Sequence, residues 1–150
     1  MEHIDIAANA LEYAIKNGAE EASIKLSTGN GFSVVSQNQA IDLVEQFSDQ
    51  SFSISVYIGK AIGSASTNDF SEDQLNMTIQ KALSLSRLTE KDDCNGLAEK
   101  DLMATEIKDL ELHQPSGLTI NRAQEMALEC EGAAFGANDL VVNSEGATVG

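Results

Sequence analysis

The two histidines are the first residues to consider for chemistry, because imidazole serves both as a metal ligand and as a general base. His3 and His113 are far apart in the chain, and neither belongs to an HExxH-like motif that would place two ligands on one helical turn. A zinc site needs three or four such ligands brought together. The sequence therefore predicts no metal ligands, no cofactor and no catalytic residue in this chain.

Three short segments resemble known motifs, and each lacks an essential residue. Lys91–Leu102 follows part of a calcium-loop pattern but has no acidic residue at its first or last position. Thr28–Gly31 lacks the lysine and the following helix of a phosphate-binding loop. Gly63–Ser66 lacks the second glycine of a nucleophile elbow. These segments are better explained as turns and a strand.

Paired acids are the remaining candidates for acid–base chemistry. The pairs are Glu20/Glu21, Asp92/Asp93 and Glu129/Glu131. Carboxylates act as general acids or bases when a cleft shifts their pKa values. All three pairs fall at predicted helix ends or in loops, so we expect them to be solvated.

The two cysteines carry no redox motif. Cys94 and Cys130 do not form a CxxC, and one pair is too few for a disulfide framework. Cys130 falls on the apolar stripe of a predicted helix, where we expect a buried thiol. A reduced, cytoplasmic chain is the expectation, because the N-terminal residues are acidic and amphipathic and do not form a signal peptide.

Composition limits the class of partner. The chain has 150 residues, 9 basic and 24 acidic, for a net charge of −15, and its mean hydropathy is −0.16. This length suits one domain with a single core. Phosphate backbones and anionic membranes repel such a surface, and there is no lysine or arginine cluster. We therefore expect neither nucleic acid nor a membrane as a partner.

Hydrophobic periodicity predicts an α+β fold, an antiparallel meander sheet with helices packed on one face. A helix over 4–17 precedes strands at 21–28 and 32–37, joined by a hairpin turn at Thr28–Gly31. Further strands are predicted at 40–47, 51–58 and 61–67, with a turn at 37–39.

The second half of the chain is predicted to contain two helices and a strand. Ser71–Gln74 has the pattern of a capping box at the start of a helix that reaches about Leu88. A long polar connection over 89–118 leads to a helix from about Thr119 to Phe135, and a strand follows at 139–144. The inner face of that last helix is predicted to carry Ala123, Met126, Ala127, Cys130 and Ala134.

Several local strings, in this order and spacing, resemble the N-terminal domain of the TldD/PmbA family, the "modulator of DNA gyrase" proteins, and specifically its PmbA (TldE) branch. The strings are Ala10–Glu12, Gly18–Ala22, Val56–Lys60, Gly63–Asp69, Asp109–Leu112, Glu131 with Ala133 and Ala134, and Asn143–Ala147. Members of this family are considerably longer than 150 residues, and this sequence stops abruptly after Gly150. We therefore expect residues 1–150 to be the N-terminal domain of a longer PmbA-like protein.

The resemblance implies a metal-dependent peptidase complex in which a TldD-like subunit pairs with a PmbA-like subunit and processes peptides. Its HExxxH metal motif lies in the later half of TldD-type chains. Zinc is therefore expected only in the TldD-type partner, and no catalytic residue is transferred to this chain. The domain itself is expected to be inactive alone and to act as a scaffold or as a substrate- or partner-binding surface.

An exposed strand can bind an extended peptide through its backbone. The candidate surface, which would face either the substrate or the second domain, is the polar stretch Ser64–Asp69, and its site residues are Ser64, Ser66, Thr67 and Asp69. Close packing of a helix on this strand explains the same small residues. A non-enzymatic acidic adaptor domain is the alternative function.

Overall fold

The computed structural model describes residues 3–111 and 116–150, so the prediction that concerns His113 lies outside the described residues. The elements are α1 (His3–Lys16), β1 (Glu21–Gln37), β2 (Ala40–Ile58), β3 (Ala61–Thr67), α2 (Glu72–Ser86), a 3-10 turn (Lys100–Leu102), α3 (Ile120–Ala137) and β4 (Ala147–Val149). The sheet order is β3-β2-β1-β4, with antiparallel pairing of β2 with β3 and of β1 with β4. The predicted α+β class is confirmed.

The chain divides into two compact units. The first comprises the residues up to Thr28 together with Asp49–Ile107. Its core is formed by alternate residues of β2 and by the inner faces of α1 and α2, namely Ala10, Ala14, Phe52, Ile54, Val56, Leu75, Ile79, Ala82 and Leu83. Burial of these apolar side chains is the main force that holds the two helices on the strands.

The second unit comprises Gly29–Ser48 and Lys108–Gly150. Its smaller core joins Val34 of β1 to Ala123 and Ala127 of α3. The two alanines are four residues apart and therefore lie on the same face of the helix. β4 adds to this unit by pairing with β1, with Val149 opposite Val34.

The predicted turn at Thr28–Gly31 is wrong, because β1 runs through it without interruption. The chain reverses at Asn38 and Gln39, whose φ angles of 54° and 62° are those of a tight hairpin turn. Gly31 lies in an extended strand, and a Cβ there would come 2.6 Å from Cζ of Phe47. This glycine therefore makes room for a ring on the neighbouring strand and does not form a turn.

Other boundaries also differ from prediction. β2 is one strand where two were expected, and α2 ends at Ser86. Residues 139–144 do not form a strand, and Leu140 and Val142 are exposed. The last strand begins only after Gly146, whose φ of 103° redirects the chain. Alternating apolar residues predict a strand only where a neighbouring strand lies within reach.

The start of α2 has no capping box. Ser71 is the N-cap residue, but its side chain makes no capping hydrogen bond. Asp69 stabilises this helix start instead, because its Oδ1 accepts a hydrogen bond from the Ser71 N–H at 2.8 Å.

Candidate peptide-binding edge

The four predicted site residues do not form one cluster. Ser64 and Ser66 are exposed on β3, Thr67 is half-buried on the alternate face of that strand, and Asp69 lies in the turn that follows. Side chains alternate between the two faces of a strand. The structure therefore groups Ser64 with Ser66 and separates both from Thr67.

The two serines belong to a face of the sheet that is rich in hydroxyl groups. Ser64 lies opposite Ser55 on β2, and Ser66 lies opposite Ser53. The Oγ atoms of Ser55 and Ser64 are 2.8 Å apart and share a hydrogen bond. A serine hydroxyl does not act as a general base, so the contact between Ser55 and Ser64 does not activate either oxygen as a nucleophile. The pair is better suited to a neutral binding surface.

Thr67 and Asp69 shape the connection between β3 and α2. The Asp69 N–H donates to Thr67 Oγ1 at 3.1 Å, and Asp69 in turn accepts from Ser71. Hydrogen bonds from the backbone and side chain of Ser71 lower the pKa of Asp69. These contacts indicate a structural role for the Asp69 carboxylate at the helix start.

β3 is an edge strand. It is the last strand in the sheet order, and within residues 3–111 and 116–150 no strand pairs with its outer side. Gly63 holds α2 against this strand, since an added Cβ would meet the Ala82 carbonyl oxygen and the Ser86 nitrogen. Close helix-on-strand packing therefore explains Gly63. It does not account for the exposed serines that follow.

A groove of about 1010 Å³ lies beside β3, in the first unit. Its lining joins Ala65 of the strand to the outer face of α2 and to α1, with residues Tyr13, Ala65, Asp73, Gln74, Asn76, Met77, Gln80, Lys81, Ser84 and Leu85. Met77 is 55% exposed and Leu85 is 47% exposed. Asp73 and Lys81 give the groove one charge of each sign.

Sequence reasoning missed this groove. Met77 and Leu85 are apolar residues of α2 that do not belong to the face that the helix buries. Their positions in the sequence were the one indication of a second apolar face on this helix. An extended segment paired with β3 would place alternate side chains beside these two residues. The edge and the groove together are therefore the candidate binding surface of this unit.

No zinc ligand set exists within the described part of the chain. No group of three or more histidine, cysteine, aspartate or glutamate side chains could hold a metal ion there. The ring of His3 makes an edge contact with Phe70, with ring centroids 6.3 Å apart. The resemblance implies zinc only in the TldD-type partner, and that expectation stays a prediction.

Glu131, which was expected to be solvated, is buried in the second unit with 2% of its surface exposed. Its Oε1 accepts from the Asn38 N–H at 2.8 Å, and its Oε2 accepts from the Gln39 N–H at 2.9 Å. Burial alone would raise the pKa of Glu131. Hydrogen bonds from Gln39, Ser144, Asn38 and Ser36 outweigh it and lower the pKa. This carboxylate holds the β1–β2 turn in place.

The prediction for the inner face of α3 was correct only in part. Ala123 and Ala127 are buried, whereas Met126, Cys130 and Ala134 are exposed. The buried position one turn beyond Ala127 is Glu131. A hydrophobicity pattern could not predict this, because it places a charged residue on the outer face by default.

Comparison with known proteins places the chain in one family. Residues 22–86, which include β3 and all of α2, match the family model "PmbA/TldA metallopeptidase domain 1". The chain is 41% identical over 139 residues to a metalloprotease PmbA homolog from Haemophilus influenzae, with coverage of 93% of this chain. The chain belongs to the PmbA/TldD family. It spans 31% of the length of that relative, so it corresponds to a peptidase-related domain of a PmbA protein.

Two solved structures share the fold of this PmbA-family domain. A candidate modulator of DNA gyrase from Bacteroides thetaiotaomicron has a TM-score of 0.80 and 27% identity, over 91% of this chain and 31% of that one. TldE from Thermococcus kodakarensis has a TM-score of 0.71 and 15% identity, over 89% of this chain and 30% of that one. The second likeness concerns the fold alone. None of the described helices is both long and apolar enough to cross a membrane.

Proposed function

We propose that residues 1–150 are the N-terminal domain of a PmbA-type subunit of a metal-dependent peptidase, and that this domain binds extended peptide at the edge strand β3. The observation that carries the proposal is the position of the groove. Its apolar side chains Met77 and Leu85 lie next to a strand edge with no partner strand among the described residues. Backbone pairing along β3 would orient the peptide, and the groove would bury every second side chain.

The charge of the groove and the exposed hydroxyls favour a neutral segment. Asp73 and Lys81 offset each other, and Ser64 and Ser66 present uncharged groups on the opposite face of β3. Main-chain hydrogen bonds supply most of the affinity in strand addition, which suits an enzyme that handles several peptides.

Catalysis is assigned to a second subunit. This assignment follows from the family resemblance; among the described residues there is no group of three or more side chains that could hold a metal ion. A TldD-like subunit would supply the zinc and the catalytic groups, and this domain would supply part of the peptide-binding surface and the scaffold. The cytoplasm is the compartment proposed for this complex.

The test is peptide binding by a groove variant. Met77→Glu places a charge in the proposed contact and should weaken binding of a neutral, alternating valine–threonine peptide by about tenfold. Met103→Glu is the matched control, since Met103 is similarly exposed at 43% and does not line the groove. Fluorescence anisotropy of the labelled peptide measures both affinities.

Equal loss of binding in both variants, or no loss in either, would contradict the proposed groove. Absence of any peptide binding by the unmodified chain would favour the adaptor function. Hydrogen exchange gives a second readout, because bound peptide should protect amides within Ala61–Thr67.

A further inference from the structure

The chain contains three asparagine–glycine pairs, Asn17-Gly18, Asn30-Gly31 and Asn95-Gly96. In such a pair the backbone nitrogen of the glycine can attack the side-chain amide carbon of the asparagine, because glycine has no Cβ to hinder the approach. In a folded chain this reaction requires that the asparagine side chain can turn and that the glycine nitrogen is free. The three pairs differ in both respects.

The first pair, at the end of α1, is held by hydrogen bonds on every side. Asn17 Nδ2 donates to the Tyr13 carbonyl oxygen at 2.8 Å, and Asn17 Oδ1 accepts from Gln80 Nε2 at 3.1 Å. The Gly18 N–H donates to the Ile15 carbonyl oxygen at 3.1 Å. We therefore expect this pair to react only when the end of the helix opens.

The second pair lies in the uninterrupted strand β1, which has β2 on one side and β4 on the other. The ring of Phe47 occupies the space beside Gly31, since a Cβ on that glycine would come 2.6 Å from its Cζ. Attack by the glycine nitrogen needs a rotation of the backbone between Asn30 and Gly31, and a paired strand resists that rotation. This pair is also expected to be protected.

The third pair lies in the loop that packs on the turn at Gly59 and Lys60, between β2 and β3. The Gly96 N–H donates to no atom of the described residues. One hydrogen bond holds the asparagine side chain, from Asn95 Nδ2 to the Lys60 carbonyl oxygen at 3.2 Å, and Asn95 Oδ1 accepts none within the described part of the chain. The nucleophile and the carbon that it attacks are therefore the least restrained of the three pairs.

Lys60 also places a positive charge on the reacting peptide group. Its Nζ donates to the Asn95 carbonyl oxygen at 2.9 Å, and that carbonyl belongs to the same peptide group as the Gly96 nitrogen. An ammonium group there stabilises the anion that forms when this nitrogen loses its proton. The Glu21 carboxylate is also close to Gly96, but it accepts from the Leu97 N–H at 2.9 Å and not from this peptide group.

We infer that Asn95 is a site of spontaneous deamidation that Lys60 promotes. The Gly96 nitrogen forms a bond to Cγ of Asn95, and the bond from Cγ to Nδ2 breaks. The proton of the Gly96 nitrogen passes through solvent to Nδ2, which leaves as ammonia. Water then opens the cyclic imide at one of its two carbonyl groups and gives aspartate or isoaspartate. Water is the only co-reactant, and no oxidant or reductant takes part.

The product would release the loop from the turn. A carboxylate at position 95 has no hydrogen to donate to the Lys60 carbonyl oxygen, and its negative charge is repelled by that oxygen. The same carbonyl oxygen accepts from the Asp92 N–H at 3.1 Å, so exchange of the Asp92 amide should become faster in the product. The variant Asn95→Asp reproduces the charge of the product and should show the same faster exchange.

The experiment follows all three asparagines in one sample of the whole chain. The chain is incubated at neutral pH in water enriched in heavy oxygen, which marks the aspartate and isoaspartate formed during incubation. Peptide mapping by mass spectrometry gives a rate for each pair. A parallel sample in urea gives the rates of the same pairs without the fold.

In the folded chain Asn95 should react at least about tenfold faster than Asn17 or Asn30, because those two require local opening. In urea the three rates should be similar. Lys60→Gln should slow the reaction of Asn95 in the folded chain by about threefold to tenfold and leave its rate in urea unchanged, whereas Lys60→Arg keeps the charge and should keep most of the rate.

Lys91→Gln is the matched control, since the Lys91 Nζ lies near Gly59 in the same turn, 3.2 Å from the position of an added Cβ. It should leave the rate at Asn95 unchanged, and circular dichroism checks that each variant is folded. Equal rates at the three asparagines in the folded chain, or a faster reaction of Asn95 in urea than in the folded chain, would overturn the site. Equal slowing by K60Q and K91Q, or no slowing by K60Q, would overturn the role of Lys60.

Discussion

At the scale of single residues, Glu131 is the clearest case of a side chain whose role depends on contacts distant in sequence. Asn38 and Gln39 both have positive φ angles, which non-glycine residues adopt at some cost. The carboxylate of Glu131 accepts the backbone N–H of each. One charged group thus compensates the strain of a turn that contains no glycine.

Glu131→Gln should lower the stability of the chain at neutral pH, because the amide has one acceptor oxygen where the carboxylate has two. The folded state lowers the pKa of Glu131 below its ordinary value of 4.5. The stabilisation is therefore present above that ordinary pKa and is lost as the pH falls through the lower, folded-state pKa. Urea unfolding followed by circular dichroism between pH 7 and about pH 3 measures this.

The E131Q variant should show a flatter dependence of stability on pH than the unmodified chain. Glu129→Gln is the control, because Glu129 is exposed and pairs only on the surface with Arg122. If E131Q and E129Q have the same stability at pH 7, the role assigned to Glu131 is wrong.

The two thiols give a second test at this scale. Cys94 and Cys130 are both free and exposed. In the native chain, both thiols should react completely with a small aromatic disulfide reagent, and neither should react in a slow phase. The reason is that the reagent needs access to the sulfur, and both sulfurs are exposed. If Cys130 reacts only after urea is added, it lies on the inner face of α3, as the hydrophobicity pattern predicts.

At the scale of elements, the sequence predicted where strands and helices lie better than where they end. Alternation placed Phe52, Ile54 and Val56 correctly on one buried face. It did not show that β1 passes through Asn30-Gly31, because the ring that occupies the space beside Gly31 belongs to Phe47 on another strand. The β3 edge was predictable in part, because the sequence identified its polar residues. The groove was not predictable, because it is formed by the outer face of α2, and hydrophobic periodicity does not show where that face lies relative to β3.

Gly63→Ala tests the packing of α2 on β3. The added methyl group would meet the Ala82 carbonyl oxygen and the Ser86 nitrogen, and these backbone atoms cannot rotate away. The expected loss is about 1–3 kcal/mol in the free energy of unfolding, measured by urea denaturation. Gly29→Ala is the control, since no atom lies within 4 Å of its added Cβ, and it should remain within about 0.5 kcal/mol of the unmodified chain. Similar losses in both variants would contradict the close contact.

At the scale of the whole molecule, a net charge of −15 bears on the class of partner. In the proposed function the β3 edge binds a neutral peptide, and we expect phosphate backbones and anionic membranes to be repelled by this charge. The chain spans 31% of a metalloprotease PmbA homolog and matches the first domain of that family.

The most direct test of the central claim is one assay on one purified sample of this chain. Cleavage of an unstructured peptide and bound zinc are measured together, first alone and then after a TldD-type subunit is added. We predict no cleavage and no stoichiometric zinc for the chain alone, with both present in the mixture. Cleavage by the chain alone, together with about one bound zinc per chain, would contradict the claim that the metal comes from a partner.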